Sequence, residues 1–122
     1  MFILDSSAII EIVHGTERGA KIMAIVGDEK FYITTLSVNE VLFSEKETED
    51  VTEFIEKSYV FSFDKEAAKI SVKIEKDLKK TGKMINKIDI FIAAISIQTN
   101  STLVACDNDF KKVAGLKCKI IG

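Results

Sequence analysis

Cysteine, histidine and proline are scarce in this chain of 122 residues, which has two cysteines, one histidine and no proline. Cys106 and Cys118 follow no metal-ligand spacing, and His14 completes no zinc pattern with them, so the sequence argues against a zinc site. We expect both cysteines to be reduced core thiols of a cytoplasmic protein. The absence of proline excludes no class of function.

Long apolar runs are also absent. Although 47% of the residues are hydrophobic, no run approaches the length of a membrane span. The apolar N-terminus has no basic segment before it, which argues against a secretory signal peptide. Length and composition therefore predict a single domain, residues 1–122, with a sizeable core and no membrane partner.

Positive charge is scarce in the first part of the chain. Residues 1–68 carry 6 basic and 14 acidic residues, whereas residues 69–122 carry 11 lysines and 5 acids. A basic second half in an acidic protein is compatible with phosphate contacts on one side of the molecule. The same lysines are equally compatible with solvated helix faces that bind nothing.

The chain opens on a short apolar run, Phe2-Ile3-Leu4, that ends at Asp5 and two serines. Such a run is typical of a buried strand, and either serine can cap a following helix. Further strands alternate with helices without a hairpin signal, which predicts an α/β fold with a parallel sheet of four to five strands covered on both faces. The predicted strands are 2–4, 31–35, 59–63, 102–106 and 117–121, and the predicted helices are 8–13, 17–26, 36–43, 51–57, 65–80 and 87–99, with a helical turn at 110–113.

Four of the 19 acidic residues interrupt or end apolar runs, whereas most of the others lie in charged runs such as 45–50. These four are Asp5, Glu40, Asp89 and Asp107. Each has an ordinary structural explanation: Asp5 and Asp89 as parts of helix caps, Glu40 as the edge of an amphipathic helix, and Asp107 as a turn former. Singly, none of them identifies a site.

Together the four acids are more informative, because right-handed crossovers bring the carboxyl ends of parallel strands to one edge of the sheet. Glu40 shares a helix face with Leu36 and Phe43, so we expect its side chain to be turned partly inward. Clustered carboxylates repel one another strongly unless they bind cations or protons. Oxygen ligands without cysteine or histidine suit Mg²⁺ or Mn²⁺, and such sites commonly hydrolyse phosphodiesters.

Four segments carry these acids in order. They are Ile3-Leu4-Asp5-Ser6-Ser7, Thr34-Thr35-Leu36-Ser37-Val38-Asn39-Glu40-Val41, Asp89-Ile90-Phe91-Ile92-Ala93-Ala94 and Leu103-Val104-Ala105-Cys106-Asp107-Asn108-Asp109-Phe110. In this order and spacing the whole chain resembles the PIN-domain ribonucleases and, within that family, the VapC-type toxins of toxin–antitoxin pairs.

The resemblance implies a three-layer α/β/α fold and an endoribonuclease that depends on Mg²⁺ or Mn²⁺ and hydrolyses RNA with metal-activated water. It also implies homodimers and a small VapB-like antitoxin that occupies the active-site cleft. The implied catalytic and metal-site acids are Asp5, Glu40, Asp89 and Asp107, with Asp109 as an auxiliary acid and Ser6 as the hydroxyl of the first motif.

The lysines that flank the third and fourth acidic segments are candidates for contacts with RNA phosphates. They are Lys79, Lys80, Lys83, Lys87, Lys111 and Lys112, of which Lys87 is, with Ser6, the main candidate for substrate binding. The chain departs from the family at Ala105, where many relatives carry serine or threonine. The connection around residues 45–50 is also short, which bears on antitoxin pairing and dimer shape.

Three other functions remain open from the sequence. A phospho-acceptor receiver domain has a similar size, but it usually carries an adjacent acid pair after the first strand and a Lys-Pro step, and this chain has neither. A PIN domain that binds RNA or protein without cutting is disfavoured by the four acids and left open by Ala105. A PIN nuclease of RNA maturation would differ in having no antitoxin gene beside it.

Overall fold

The computed structural model describes residues 1–122, in which five short parallel strands form one sheet. The strands are β1 (Phe2–Leu4), β2 (Tyr32–Thr34), β3 (Tyr59–Phe61), β4 (Thr102–Ala105) and β5 (Cys118–Ile120). The helices are α1 (Ser6–Val13), α2 (Glu17–Val26), α3 (Thr35–Ser44), α4 (Glu49–Lys57), α5 (Lys65–Thr81) and α6 (Lys87–Gln98), with a 3-10 helix at Asn108–Lys112. None of the helices combines the length and apolar character that a membrane crossing requires.

The strands lie in the order β3-β2-β1-β4-β5. The chain moves outward from β1 to β3 and then returns to the other side of β1 as β4. This reversal creates a switch point between β1 and β4, and ligands of open α/β sheets bind at such points, outside the carboxyl ends of the strands.

In receiver-type sheets β1 lies between β2 and β3. Because β1 here lies between β2 and β4, the receiver alternative is wrong.

Alternate strand residues build two separate cores, one on each face of the sheet. Ile3 and Leu103 are fully buried in the core that includes α5 and α6. Their neighbours Leu4 and Val104 are fully buried in the core that includes α1 and α2. Since successive side chains of a strand point to opposite faces, the sheet is covered on both sides. The predicted three-layer α/β/α fold is therefore confirmed.

Three predicted helix starts were wrong, those of α1, α3 and α4, and a side-chain cap explains each difference, with Thr48 as the cap of α4. Helix α1 begins at Ser6 rather than at residue 8, because Asp5 and not a serine provides the cap. Helix α3 begins at Thr35, which the sequence pattern places in the preceding strand, because the Thr34 hydroxyl accepts a hydrogen bond from the backbone N–H of Ser37 at 3.1 Å. The charged run 45–50 divides between a connection and the start of α4 at Glu49.

Candidate active site

Asp5 lies at the carboxyl end of β1 with only 3% of its surface exposed. Its backbone N–H donates to the Val104 carbonyl at 3.0 Å, which extends the pairing with β4 by one residue. Its Oδ2 atom accepts hydrogen bonds from the Ser7 backbone N–H (3.2 Å) and the Ser7 hydroxyl (2.8 Å). Its Oδ1 atom is buried and has no hydrogen-bond partner. A buried oxygen without a partner is costly, so this atom is poised for a proton or a cation.

Ser7 holds Asp5 in place and ties together the ends of the two central strands. Its hydroxyl donates to Asp5 Oδ2 and accepts the backbone N–H of Cys106 at 3.0 Å. The sequence predicts Ser7 only as a possible helix cap. The sequence signal for this role is a hydroxyl residue two positions after an acid, because an Asp side chain in a turn accepts from the backbone N–H two residues on, which brings that hydroxyl beside it.

We expect the substitution Ser7→Ala to lower the free energy of unfolding by about 1–3 kcal/mol, because it removes a partner from both Asp5 and the Cys106 N–H. Urea unfolding of the metal-free protein measures this loss. Ser6→Ala is the matched control, since the Ser6 hydroxyl bonds only to half-buried Glu40. Equal losses in the two variants would contradict the special position of Ser7.

Glu40 lies on α3 and faces α1. It accepts a hydrogen bond from the Ser6 hydroxyl at 3.1 Å, so the first and second acidic segments are in direct contact. The predicted inward turn of Glu40 is confirmed, since its side chain is partly buried. Phe43, three residues further along α3, is not turned inward and is 91% exposed. It lies in the last turn of α3, where Val41 is the buried residue.

The remaining acids lie on α6 and around the 3-10 helix. Asp89 is in the first turn of α6. Asp107 caps the 3-10 helix through a 2.9 Å hydrogen bond from the Asp109 backbone N–H to its Oδ1, so the turn-forming role considered for it is real. Asp109 forms an ion pair with Lys112 at 2.8 Å.

The pKa values show that these carboxyl groups act on one another. Burial raises the pKa of Asp89 to about 7, assisted by the negative charges of Asp5, Asp107, Glu40 and Asp109. Burial also raises the pKa of Asp5 against the opposing hydrogen bonds from Ser7, with a further contribution from Asp107. The pKa of Glu40 is raised by burial and then by the charge of Asp5. The five acids singled out from the sequence thus form one electrostatically coupled cluster.

The chemistry of this cluster fits a hard divalent cation. All of its donors are oxygens, and one of them is buried without a partner. A bound cation would offset both the burial and the mutual repulsion that raise the pKa values. No three acidic, histidine or cysteine side chains are already arranged to hold a metal ion. The donors are therefore suitable in kind, and their side chains would have to move together around a bound ion.

The candidate phosphate-binding lysines differ in whether they already form an ion pair within the protein. Lys87 forms an ion pair with Glu75 at 2.8 Å and lies 5.7 Å from the ring centroid of Phe91. Lys112 is held by Asp109. The four others proposed for phosphate contacts are exposed and form no ion pair; they are Lys79, Lys80, Lys83 and Lys111.

The fold and site define a doubly wound α/β protein with a carboxylate cluster at the switch point of its sheet. A family model described as the PIN domain matches residues 2–116, and the chain belongs to this family. A search of curated proteins gave no match.

Solved structures share the fold at low sequence identity. VapBC2 from Rickettsia felis, bound to a DNA fragment from its promoter, is similar with a TM-score of 0.85 and 16% identity over 99% of this chain and 98% of that chain. VapBC-1 from nontypeable Haemophilus influenzae gives a TM-score of 0.77 and 17% identity over 98% and 96%. VapC20 from Mycobacterium tuberculosis, a sarcin–ricin loop cleaving toxin, gives 0.68 and 12% over 95% and 96%.

Proposed function

We propose that the protein is a divalent-metal-dependent endoribonuclease and the toxin of a VapBC-type toxin–antitoxin pair. The observation that carries this proposal is the unpartnered, buried Oδ1 of Asp5 within a cluster of coupled carboxyl groups. Membership of the PIN domain family supports a nuclease. The similarity to VapBC complexes and to a toxin described as cleaving the sarcin–ricin loop supports the toxin role.

The acids share one task in this proposal, which is to hold the metal ion. Asp5, Glu40, Asp89 and Asp107 would hold Mg²⁺ or Mn²⁺, with Asp109 as an auxiliary acid. A bound divalent cation supplies the Lewis-acid chemistry that activates water and stabilises the leaving oxygen. Ser7 fixes the carboxylate of Asp5, and no side chain serves as a covalent nucleophile.

Ser6 positions one of the four acids, and Asp89 links the site to pH. Ser6 orients Glu40 through its hydroxyl, which lies 3.1 Å from Glu40 Oε1. With a pKa of about 7, Asp89 is protonated in roughly half of the molecules at neutral pH, and a bound cation would displace that proton. In this proposal the carboxyl cluster binds either a proton or a divalent cation, and only the cation-bound form cleaves RNA.

The proposal includes two protein partners. A small VapB-like antitoxin would occupy the acidic cleft, and two copies of this chain would form a homodimer in the cytoplasm. Complexes of toxin with antitoxin are the subject of the similar structures from Rickettsia felis and Haemophilus influenzae. Co-expression with the product of a neighbouring short gene tests the antitoxin assignment.

A second candidate is a PIN domain that binds RNA without cutting it, and the absence of a preassembled ligand arrangement favours it. Calorimetry with Mn²⁺ separates the two functions. A nuclease binds Mn²⁺ with release of protons from the carboxyl cluster near neutral pH. A module that only binds RNA shows no metal binding and no cleavage of RNA in Mg²⁺ or Mn²⁺.

The four unpaired lysines lead to a prediction about salt. We expect replacement of Lys79, Lys80, Lys83 and Lys111 by glutamine to weaken RNA binding and to flatten the salt dependence of binding by roughly 0.7 per lost phosphate contact. Fluorescence anisotropy at several salt concentrations measures the slope. Lys57→Gln is the control, because Lys57 is already paired with Glu53 on α4. An unchanged slope in the fourfold variant would show that these lysines only solvate their helix faces.

A further inference from the structure

A cavity of about 330 Å³ opens between α1 and α3, beside the hydrogen bond from Ser6 to Glu40. The cavity shares Glu40 with the carboxyl cluster, and none of the other four acids lines it. Its lining residues are Ser6, Ile10, Asn39, Glu40, Phe43 and Ser44.

Phe43 is the unusual member of this lining because 91% of it is exposed. The other seven phenylalanines of the chain are all at least partly covered. Covering a solvent-exposed aromatic ring with a flat apolar surface is favourable, because it removes apolar area from water. Phe43 lies at the rim of a cavity beside the acidic site, so a ligand that covers its ring there would bind more tightly.

The other residues of the cavity indicate the kind of ligand. Asn39 precedes Phe43 by one helical turn, so both side chains lie on the same face of α3. Its carboxamide offers both hydrogen-bond donors and an acceptor. No lysine or arginine lines the cavity, and Glu40 adds negative charge. A phosphate is therefore disfavoured here, whereas a neutral, flat heterocycle with polar edges is matched by both Phe43 and Asn39.

We propose that this cavity binds one unpaired nucleobase of the RNA substrate, stacked on Phe43 and hydrogen-bonded by Asn39, next to the phosphate that is cleaved. The inference rests on the proposed ribonuclease function and names a specificity site for it. Only a base that is free of its own stack can reach the ring, so the site selects single-stranded segments and loops.

The absence of tryptophan from the chain allows a direct binding test. The substitution Phe43→Trp places a single fluorophore at the site, in the Asp5→Asn background with Mg²⁺ so that the RNA stays intact. We expect an unpaired RNA oligonucleotide to quench this fluorescence in a saturable manner, and an oligonucleotide without bases to leave it unchanged. Val72→Trp is the control, since Val72 is 51% exposed on α5, away from the cavity. Equal quenching of both fluorophores would overturn the inference.

Cleavage kinetics provide the second test. We expect Phe43→Ala to raise KM roughly tenfold, with kcat much less affected, and Phe43→Tyr to restore the wild-type value. Wild-type and Phe43→Ala protein should cleave an RNA that lacks the base beside the cut equally slowly. Wild-type cleavage with an unchanged KM in Phe43→Ala would overturn the inference and leave the ribonuclease intact. A variant that changes from dimer to monomer with an unchanged KM would also overturn it, because Phe43 would then contact a second copy.

Discussion

Replacing Asp5 with asparagine is expected to abolish RNA cleavage while leaving the fold intact. The side chain is buried, and one of its oxygens has no partner in the protein, so its charge is available to a cation. Loss of that ligand removes several kcal/mol of transition-state stabilisation, which corresponds to about a thousandfold or greater loss of rate. Asparagine keeps an oxygen that can accept from the Ser7 N–H, so the cap of α1 remains.

The variant is tested by RNA cleavage in Mn²⁺ together with thermal unfolding. Asp28→Asn is the matched control, because Asp28 is exposed and lies between α2 and β2, outside the acidic cluster. We expect the control to cleave at the wild-type rate and Asp5→Asn to unfold at or above the wild-type temperature. Normal cleavage by Asp5→Asn would contradict the assignment of Asp5 as a metal ligand.

The metal-free protein is expected to be less stable at about pH 8 than at about pH 5. Asp89 has a pKa of about 7 in the folded protein against 3.8 as its ordinary value, so the folded state binds the proton more tightly. Stability contributed by this proton is present at low pH and is lost as the pH rises through about 7. The raised pKa values of Asp5 and Glu40 act in the same direction. Carboxyls with lowered pKa values, such as Asp64, titrate below this range.

The expected loss for Asp89 alone is about 1 kcal/mol, because screening at a half-buried group reduces the unscreened value of about 2–3 kcal/mol. Urea unfolding in EDTA across this pH range measures it. Mg²⁺ or Mn²⁺ should restore stability at about pH 8 by binding to the folded state. Asp89→Asn should flatten the pH dependence, and a wild-type slope in that variant would contradict the coupling of the cluster.

Much of the fold could be predicted because its signals are local. Ile3 and Leu4 belong to a run that is apolar on both sides, which marks a central strand buried on both faces. The caps of α5 and α6 at Asp64 and Asn86 lie within three residues of the N–H groups that they accept. The nearness of Asp5 and Asp107 follows from the same logic, because acids that end apolar strands of a parallel sheet meet at one edge.

The rest depended on contacts between distant parts of the chain. The Ser7 hydroxyl and the Cys106 N–H are 99 residues apart, and their hydrogen bond exists only because β4 pairs with β1. The strand order that excludes a receiver domain is likewise a property of the packed sheet. Helical spacing predicts that Phe43 and Glu40 lie on the same face of α3. The exposure of Phe43 depends on where α3 ends, at Ser44.

The most direct test of the account is the rate of RNA cleavage by EDTA-treated protein as Mn²⁺ is added back. We expect no cleavage in EDTA, a saturable recovery with Mn²⁺ for the wild-type and Asp28→Asn proteins, and no recovery for Asp5→Asn. Cleavage that persists in EDTA would contradict it. So would wild-type protein that binds Mn²⁺ by calorimetry and leaves every RNA intact.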